Sequence, residues 1–181
     1  MVAELSPEGG FGSPEIVSSE RAGWFTGSPT VAVSASGTWV AWSETDGVNS
    51  RVQARQKTRS GWEPIVTLST PGATAEHPSV ALDPWATLHA VWIEGGTESG
   101  NDGRGRAVVY TSLGPGAAAA PPRTLSVGGT GPFESPVVAT DQSGRVVVAW
   151  VDRGAGNSDI VVRQGVAGFS ALPTPERGPD R

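Results

Sequence analysis

The chain has 181 residues, with 13 lysines and arginines against 18 aspartates and glutamates, and a formal net charge of −5. This length suits one domain, and an acidic chain with scattered arginines argues against a nucleic-acid binder. Cysteine is absent, which excludes disulfides and thiolate chemistry, while 25 glycines and 15 prolines favour short strands joined by turns over long helices.

The N-terminus has no feature of a targeting signal. Residues 1–12 lack a basic region followed by an apolar run, so they do not form a secretory signal peptide. No apolar run approaches the ~18 residues of a membrane-spanning helix. We expect an extracellular or cell-surface location for a mature segment that carries an added Met1, and a cytoplasmic location stays open.

An internal repeat organises the chain. The segments Ser28–Trp42, His77–Trp92 and Ser135–Trp150 each contain a proline, alternating valine and alanine, a turn, and a second apolar run that ends in tryptophan. Period-2 alternation bounded by turn residues is typical of antiparallel strands. Each segment therefore predicts a hairpin of two strands, A and B, recurring about every 50 residues.

Two further runs follow each hairpin. The third run, strand C, covers Arg51–Gln56, Arg106–Thr111 and Ile160–Gln164, and the fourth, strand D, covers Glu63–Ser69, Pro122–Ser126 and Phe169–Thr174. An extra copy of strand D precedes the first repeat at Pro14–Ser18.

Repeats of four short strands predict an all-β protein. Four-stranded units with two apolar faces are typical of β-propeller blades. We predict a blade array over residues 1–174, with three four-stranded blades at 28–69, 77–126 and 135–174, the extra strand at 14–18, and a polar tail at 175–181. A β-sandwich of tandem hairpins is the alternative fold.

The repeat resembles a known type. The pattern P-x-V-A-x-D-x-x-G-x-x-x-V-A-W, an acidic loop, R-V-Q-A-R and G-W-x-x-P-x-x-L-S is similar to the tandem repeats of bacterial sialidase-like (BNR-like) propeller proteins. The resemblance spans Pro14 to Pro173 and implies the fold, which hosts hydrolases, lectins and scaffolds alike. The hairpin turns do not fit the sialidase Asp-box, and the single tyrosine, Tyr110, lies in a strand. These departures argue against sialidase chemistry.

Three blades do not close a ring, because propellers contain about 4–8 blades. An uncovered apolar blade face would be a large exposed hydrophobic surface, which promotes association. We therefore expect self-association, with six blades from two chains as the favoured closure. The strand Pro14–Ser18 either adds to the edge of another blade or caps an end. The alternative is that the chain is a fragment of a longer propeller.

Candidate ligand-binding residues gather on one rim. Strands that alternate in direction place the D–A and B–C connections at the same end of every blade, and loops there carry aromatic rings, carboxylates and an amide. The predicted set is Trp24, Phe25, Glu44, Asp46, Glu76, His77, Glu94, Phe133, Glu134, Asp152 and Asn157. Aromatic rings stack on sugar faces and carboxylates accept hydroxyl protons, which predicts lectin-like glycan binding. The alternative is that these loops are solvated turns that bind no ligand.

Enzymatic activity is not assigned from this pattern. Glu44, Glu94 and Asp152 recur in register, which favours one role per blade over a single catalytic centre, so no catalytic residue is predicted. A structural self-assembling scaffold and a fragment of a glycoside hydrolase remain as alternative functions. No cofactor or metal site is predicted, although the acidic residues between Glu94 and Asp102 leave Ca²⁺ open.

The tryptophans divide into two groups. Trp42, Trp92 and Trp150 end strand B at the same place in each repeat, and we predict that they pack between blades. Trp24 breaks the repeat and is the expected contact residue for a ligand. Trp85 replaces a turn glycine on the opposite rim, where it is an interface candidate.

Overall fold

The computed structural model describes residues 10–19, 21–95, 105–126, 133–153 and 158–166. These residues form three antiparallel sheets and no helix. The first sheet contains β1 (Phe25–Ser34), β2 (Gly37–Thr45), β3 (Ser50–Thr58), β4 (Gly61–Trp62) and β5 (Val66–Thr67), and both short strands pair with β3.

The second and third sheets repeat this order. The second contains β6 (Thr74–Leu82), β7 (Leu88–Gly95), β8 (Arg106–Leu113) and β9 (Arg123–Thr124). The third contains β10 (Phe133–Thr140), β11 (Arg145–Asp152) and β12 (Asp159–Val166). The predicted fourth strand of this sheet, Phe169–Thr174, lies outside the described residues, as does the tail 175–181.

The apolar alternation of the central strands builds cores on both sides of the second sheet. Leu88, Ala90 and Trp92 on one face of β7 pack with residues of the first sheet. Val91 and Ile93 on the other face pack with residues of the third. Side chains alternate between the two faces of a strand, so the near-continuous apolar sequence of β7 follows from burial on both sides.

Each of the three repeated tryptophans lies on the same face of its sheet. Trp92 belongs to the core shared with the first sheet, and Trp150 to the core shared with the second. This confirms the predicted packing between repeats for these two residues. Trp42 is also buried, but it packs against Val17 from the segment before the first sheet.

The first strand of each sheet begins earlier than the sequence pattern predicts. β1, β6 and β10 start at residues 25, 74 and 133, and each contains a register shift just before its proline. The residues at these shifts, Ser28, His77 and Ser135, have φ angles of 50°, 55° and 49°. Proline donates no N–H to a sheet, so a bulge accommodates it and pairing resumes beyond. Strand B likewise extends through Glu44, Glu94 and Asp152, so most of the predicted loop residues lie on strands.

The segment Pro14–Ser18 does not form the predicted continuous strand. Only an isolated bridge at Glu15 is present, and the segment lies along the outer face of the first sheet. Val17 is 5% exposed and is held there by contacts with Val40 and Trp42. In the part of the chain that the structure describes, no helix has the length and hydrophobicity to cross a membrane.

Candidate functional site

The ends of the sheets near the bulges form one surface, which we call the candidate rim. It comprises the starts of β1, β6 and β10 together with the ends of β2, β7 and β11, which pair there. The first strands of neighbouring sheets contact each other, and Ser28 Oγ lies 3.4 Å from His77 Nδ1. Ten of the eleven predicted residues lie at this rim, and Asn157 is outside the described residues.

In the first sheet, the rim carries a stack of aromatic and charged groups. Two guanidinium groups lie over the Trp24 ring, with the Cζ atoms of Arg21 and Arg51 at 4.2 and 4.6 Å from its centre. Arg51 also donates to Glu44 Oε2 through Nε at 2.9 Å and Nη2 at 2.5 Å. Contact with these two cations fixes the Trp24 ring, because cation–π attraction holds a ring face against a guanidinium.

Phe25 is the rim's free aromatic surface. Its side chain is 70% exposed and lies beside Trp24 in sequence, at the first position of β1. An exposed ring of this size offers an apolar face for stacking.

Similar ion pairs occur at the rim of the other two sheets. Glu76 on β6 pairs with Arg106 at the start of β8. Glu134 on β10 pairs with Arg153 Nη2 at 2.9 Å. Every sheet therefore presents a carboxylate held against an arginine at the candidate rim.

Glu44 differs from these two glutamates by being buried. Its side chain is 1% exposed, and Oε1 has no hydrogen-bond partner among the described residues. A buried carboxylate oxygen without a donor carries a desolvation cost.

Structural roles are found instead for three predicted residues: Phe133, Glu94 and Asp46. The Phe133 ring is 4% exposed and belongs to the core between the second and third sheets, so it is not on the open surface. Glu94 Oε2 accepts hydrogen bonds from Trp92 Nε1 at 2.8 Å and from the Thr70 backbone N–H at 3.0 Å, which ties the second sheet to the first.

Asp46 caps the turn between β2 and β3. Its Oδ1 accepts hydrogen bonds from the backbone N–H groups of Asn49 at 2.7 Å and Val48 at 2.9 Å. These bonds hold the pKa of the Asp46 carboxyl below its usual value. Asp152 ends β11 and is half-buried. Within the described residues, no group of three or more histidine, aspartate or glutamate side chains is arranged to hold a metal ion.

The rim arginines were missed from the sequence, although a signal for two of them exists. Arg51 and Arg106 each open the third run of their repeat, so a basic residue recurs at the same place in two repeats. Arg153 directly follows Asp152 and carries no such signal. Pairing across strands, which sequence does not reveal, brings each arginine to its glutamate.

A second polar cluster lies away from the rim. His89 on β7 contacts Asp83 Oδ2 through Nε2 at 3.2 Å and the Tyr110 hydroxyl through Nδ1 at 2.7 Å. Burial lowers the pKa of His89 and outweighs the opposing effect of Asp83. Both ring nitrogens are satisfied in the neutral form, so the cluster is an internal hydrogen-bond network.

Comparison with known proteins supports the fold. No family model matches the sequence, and no curated protein matches it. The structure is similar to the Hadza microbial sialidase Hz136, with a TM-score of 0.65, 11% identity, and coverage of 84% of this chain and 38% of the sialidase. It is also similar to a thermostable family-43 glycoside hydrolase, with a TM-score of 0.54, 10% identity, and coverage of 86% and 60%.

A third match is an endo-arabinase from Bacteroides thetaiotaomicron, with a TM-score of 0.50, 14% identity, and coverage of 95% of this chain and 64% of that one. The chain thus spans less than two thirds of each of these proteins. At such low identities the likeness shows the fold alone. The chain is all-β, with three antiparallel sheets that match β-propeller glycoside hydrolases in structure.

Proposed function

We propose that the three sheets are blades of a propeller and that the candidate rim binds carbohydrate without cleaving it. The observation that carries this proposal is the recurrence of a carboxylate–arginine pair at the same end of every sheet: Glu44–Arg51, Glu76–Arg106 and Glu134–Arg153. The structural likeness to glycoside hydrolases supports a carbohydrate-related role.

The chemistry of these pairs suits sugar hydroxyls. A guanidinium offers several N–H donors in one plane, and the partly exposed carboxylates of Glu76 and Glu134 offer acceptors at a fixed distance from them. A sugar carries adjacent hydroxyls that both donate and accept. The exposed Phe25 ring adds an apolar face for the C–H side of the sugar.

The charge of the rim favours a neutral sugar over an acidic one. Carboxylates outnumber guanidinium groups among the rim residues, and the whole chain is acidic. A sugar acid would face like charges, which oppose its binding. Repetition of one pair per sheet also supports binding over catalysis, because glycoside hydrolysis needs two carboxyl groups with different roles at a single bond. An extracellular or cell-surface location fits this role.

Calorimetric titration tests the proposal. We expect a linear arabino-oligosaccharide to bind more tightly than 3′-sialyllactose. Phe25→Ala should weaken the binding by about tenfold, which corresponds to about 1.4 kcal/mol. Phe11→Ala is the matched control, because Phe11 is 74% exposed and precedes the first sheet, and its loss should leave the affinity unchanged.

Two results would contradict the proposal. Absence of binding to both sugars, with the protein folded, favours a scaffold without a ligand. Release of chromophore from a nitrophenyl arabinoside would show that the protein is a hydrolase.

A further inference from the structure

In each of the first two sheets, a leucine and the serine that follows it fix the outermost strand. The Leu68 N–H donates to Val52 O at 2.9 Å, and the Val52 N–H donates to Ser69 Oγ at 3.1 Å. In the second sheet, the Leu125 N–H donates to Val108 O at 2.7 Å, and the Val108 N–H donates to Ser126 Oγ at 3.1 Å. A leucine–serine pair therefore locks each outer strand onto the strand beside it.

The same leucines also pack on the next sheet. Leu68 belongs to the core that contains Val80 and Trp92, and Leu125 belongs to the core that contains Val138 and Trp150. Each outer strand thus completes its own sheet and covers the tryptophan face of the sheet that follows.

Val17 occupies the corresponding place in front of the first sheet. It packs against Val40 and Trp42, the counterparts of Ala90 and Trp92, and it is followed by Ser18. Arg55 Nη1 donates to Val17 O at 3.1 Å and secures the segment. The segment Pro14–Ser18 therefore lies where the outer strand of a preceding sheet would lie, and no sheet precedes it among the residues that the structure describes.

The third sheet offers the edge that this segment lacks. Ile160 on β12 opposes Val151, as Val52 opposes Ser43 in the first sheet. Val52 is fully buried beneath Leu68, whereas Ile160 is 72% exposed. β12 has no outer partner strand among the described residues.

The run that follows β12 in the sequence does not reproduce the leucine–serine pair. When Gly168 and Phe169 are aligned with Gly61 and Trp62, Pro175 falls at the position of Leu68. Proline has no N–H, so a proline in this position of the sequence has no donor for the hydrogen bond that Leu68 and Leu125 make. Val17 and Ser18 retain both groups.

We propose that two copies of the chain exchange their N-terminal segments, so that Pro14–Ser18 of one copy becomes the outer strand of the third sheet of the other. Val17 N–H then donates to Ile160 O, and Ile160 N–H donates to Ser18 Oγ. The pairing is antiparallel, with Ile16 opposite Val161, as Thr67 is opposite Gln53 and Thr124 is opposite Val109.

The exposed faces at the two ends of the chain support a second copy as the occupant. The first sheet exposes Val31 and Val33 on one face. The corresponding faces of the second and third sheets pack against a neighbouring sheet. The third sheet exposes Val137, Ile160 and Val162 on its opposite face. Joining these faces repeats the junctions between sheets one and two and between sheets two and three. Two such junctions related by a twofold axis close a ring of six sheets, within the range of about 4–8 blades in propellers.

Mass measurement by light scattering gives the first test. We expect a dimer of twice 18.5 kDa in wild-type protein over a range of concentrations. Val17→Asp should give a monomer, because it places a charge against Val40 and Trp42. Phe11→Asp, at an exposed position three residues before this segment, should remain dimeric. A monomeric wild type, open-ended larger assemblies, or a dimer that survives Val17→Asp would each overturn the exchange.

Disulfide trapping tests the register and is independent of whether Val17→Asp folds. The chain has no cysteine, so the double variant Ile16→Cys with Val161→Cys carries the sole pair. Directly opposed residues of antiparallel strands lie within disulfide range, and we expect a covalent dimer under mild oxidation. Ile16→Cys with Val166→Cys is the out-of-register control and should stay mostly uncrosslinked. A disulfide within one chain, or equal trapping of both pairs, would refute the proposed strand pairing.

Discussion

The turn between β10 and β11 contains a glycine that is constrained in two ways. Gly144 has a φ angle of +77°, and a Cβ atom there would lie 2.1 Å from Cζ3 of Trp85, which comes from the turn between β6 and β7. The Trp85 side chain, which interrupts the repeat, therefore packs against Gly144 of the next sheet. Trp85 lies on the rim opposite the candidate site, as expected, and it contacts Gly144 of its own chain.

Gly144→Ala should destabilise the protein through both constraints. A non-glycine residue at positive φ costs about 1–2 kcal/mol, and displacing the Trp85 ring adds about 1–3 kcal/mol of overpacking. Gly116→Ala is the matched control, because Gly116 has a φ angle of +67° and no atom within 4 Å of an added Cβ. Urea unfolding at one protein concentration measures both. Equal losses of free energy in the two variants would show that the Trp85 contact contributes nothing.

The buried network around His89 predicts a pH dependence of stability. Burial lowers the pKa of His89 below 6.5, while Asp83 and the Tyr110 hydroxyl occupy its two nitrogens. The unfolded chain therefore binds a proton that the folded chain does not, so the free energy of unfolding falls as pH decreases through about 6.5. Burial raises the pKa of Tyr110, and the pKa of Asp83 lies below 3.8, so neither titrates in this window.

Urea unfolding at a series of pH values tests this dependence. In the wild-type protein, the free energy of unfolding should change with pH between pH 5 and 7 with a slope that corresponds to about one proton. His89→Gln should remove this slope. His77→Gln, which changes the exposed histidine of the rim, should retain it. If the slope persists in His89→Gln and is lost in His77→Gln, the network is not its source.

At the scale of elements, the short outer strands depend on single leucines. The strand β9 pairs over only Arg123 and Thr124, and the adjacent Leu125 is buried between the second and third sheets. Two residues of pairing provide little stability, so the buried side chain supplies most of the attachment.

Leu125→Ala should lower the free energy of unfolding by about 2–5 kcal/mol, because it leaves a cavity in the core shared by two sheets. The neighbouring Thr124→Ala is the control, since Thr124 is exposed. Chemical denaturation at fixed concentration measures the difference. Similar losses for the two variants would mean that backbone pairing, and not the leucine, holds the strand.

Strand order could be predicted from the sequence, whereas strand starts could not. Alternating valine and alanine after each proline fixed the hairpins, and the turn residues separated them. The pattern stops at Pro29, Pro78 and Pro136, but backbone pairing continues past each proline through a bulge at the preceding residue. A bulge leaves no periodic signal, so the first three residues of β1 and β6 and the first two of β10 resembled loops.

The candidate site was predictable in position but not in detail. Alternating strand direction correctly placed Trp24, Glu44 and Glu76 at one rim, because this follows from topology alone. The burial of Phe133 depends on how the third sheet packs on the second, and the pairing of Glu134 with Arg153 depends on adjacent strands. Neither is encoded in the local pattern.

At the scale of the whole molecule, the three sheets differ in how many of their faces are covered. Both faces of the second sheet are buried in cores, so Ala90, Val91 and Trp92 are fully buried. Among the residues that the structure describes, the third sheet is covered on one face only, and Ile160 and Val162 of its edge strand are exposed. Local opening is easiest where few apolar contacts must be broken.

Hydrogen exchange should report this difference. In dilute protein, or in the Val17→Asp variant, we expect the amides of β7 to exchange most slowly and those of β12 to exchange early, since opening β12 exposes little additional apolar surface. Raising the concentration of wild-type protein should slow β12 selectively, because a second copy would cover its outer face and pair with its edge, while β7 is already enclosed. Slow exchange of β12 that does not depend on concentration would mean that its edge is paired within a single chain.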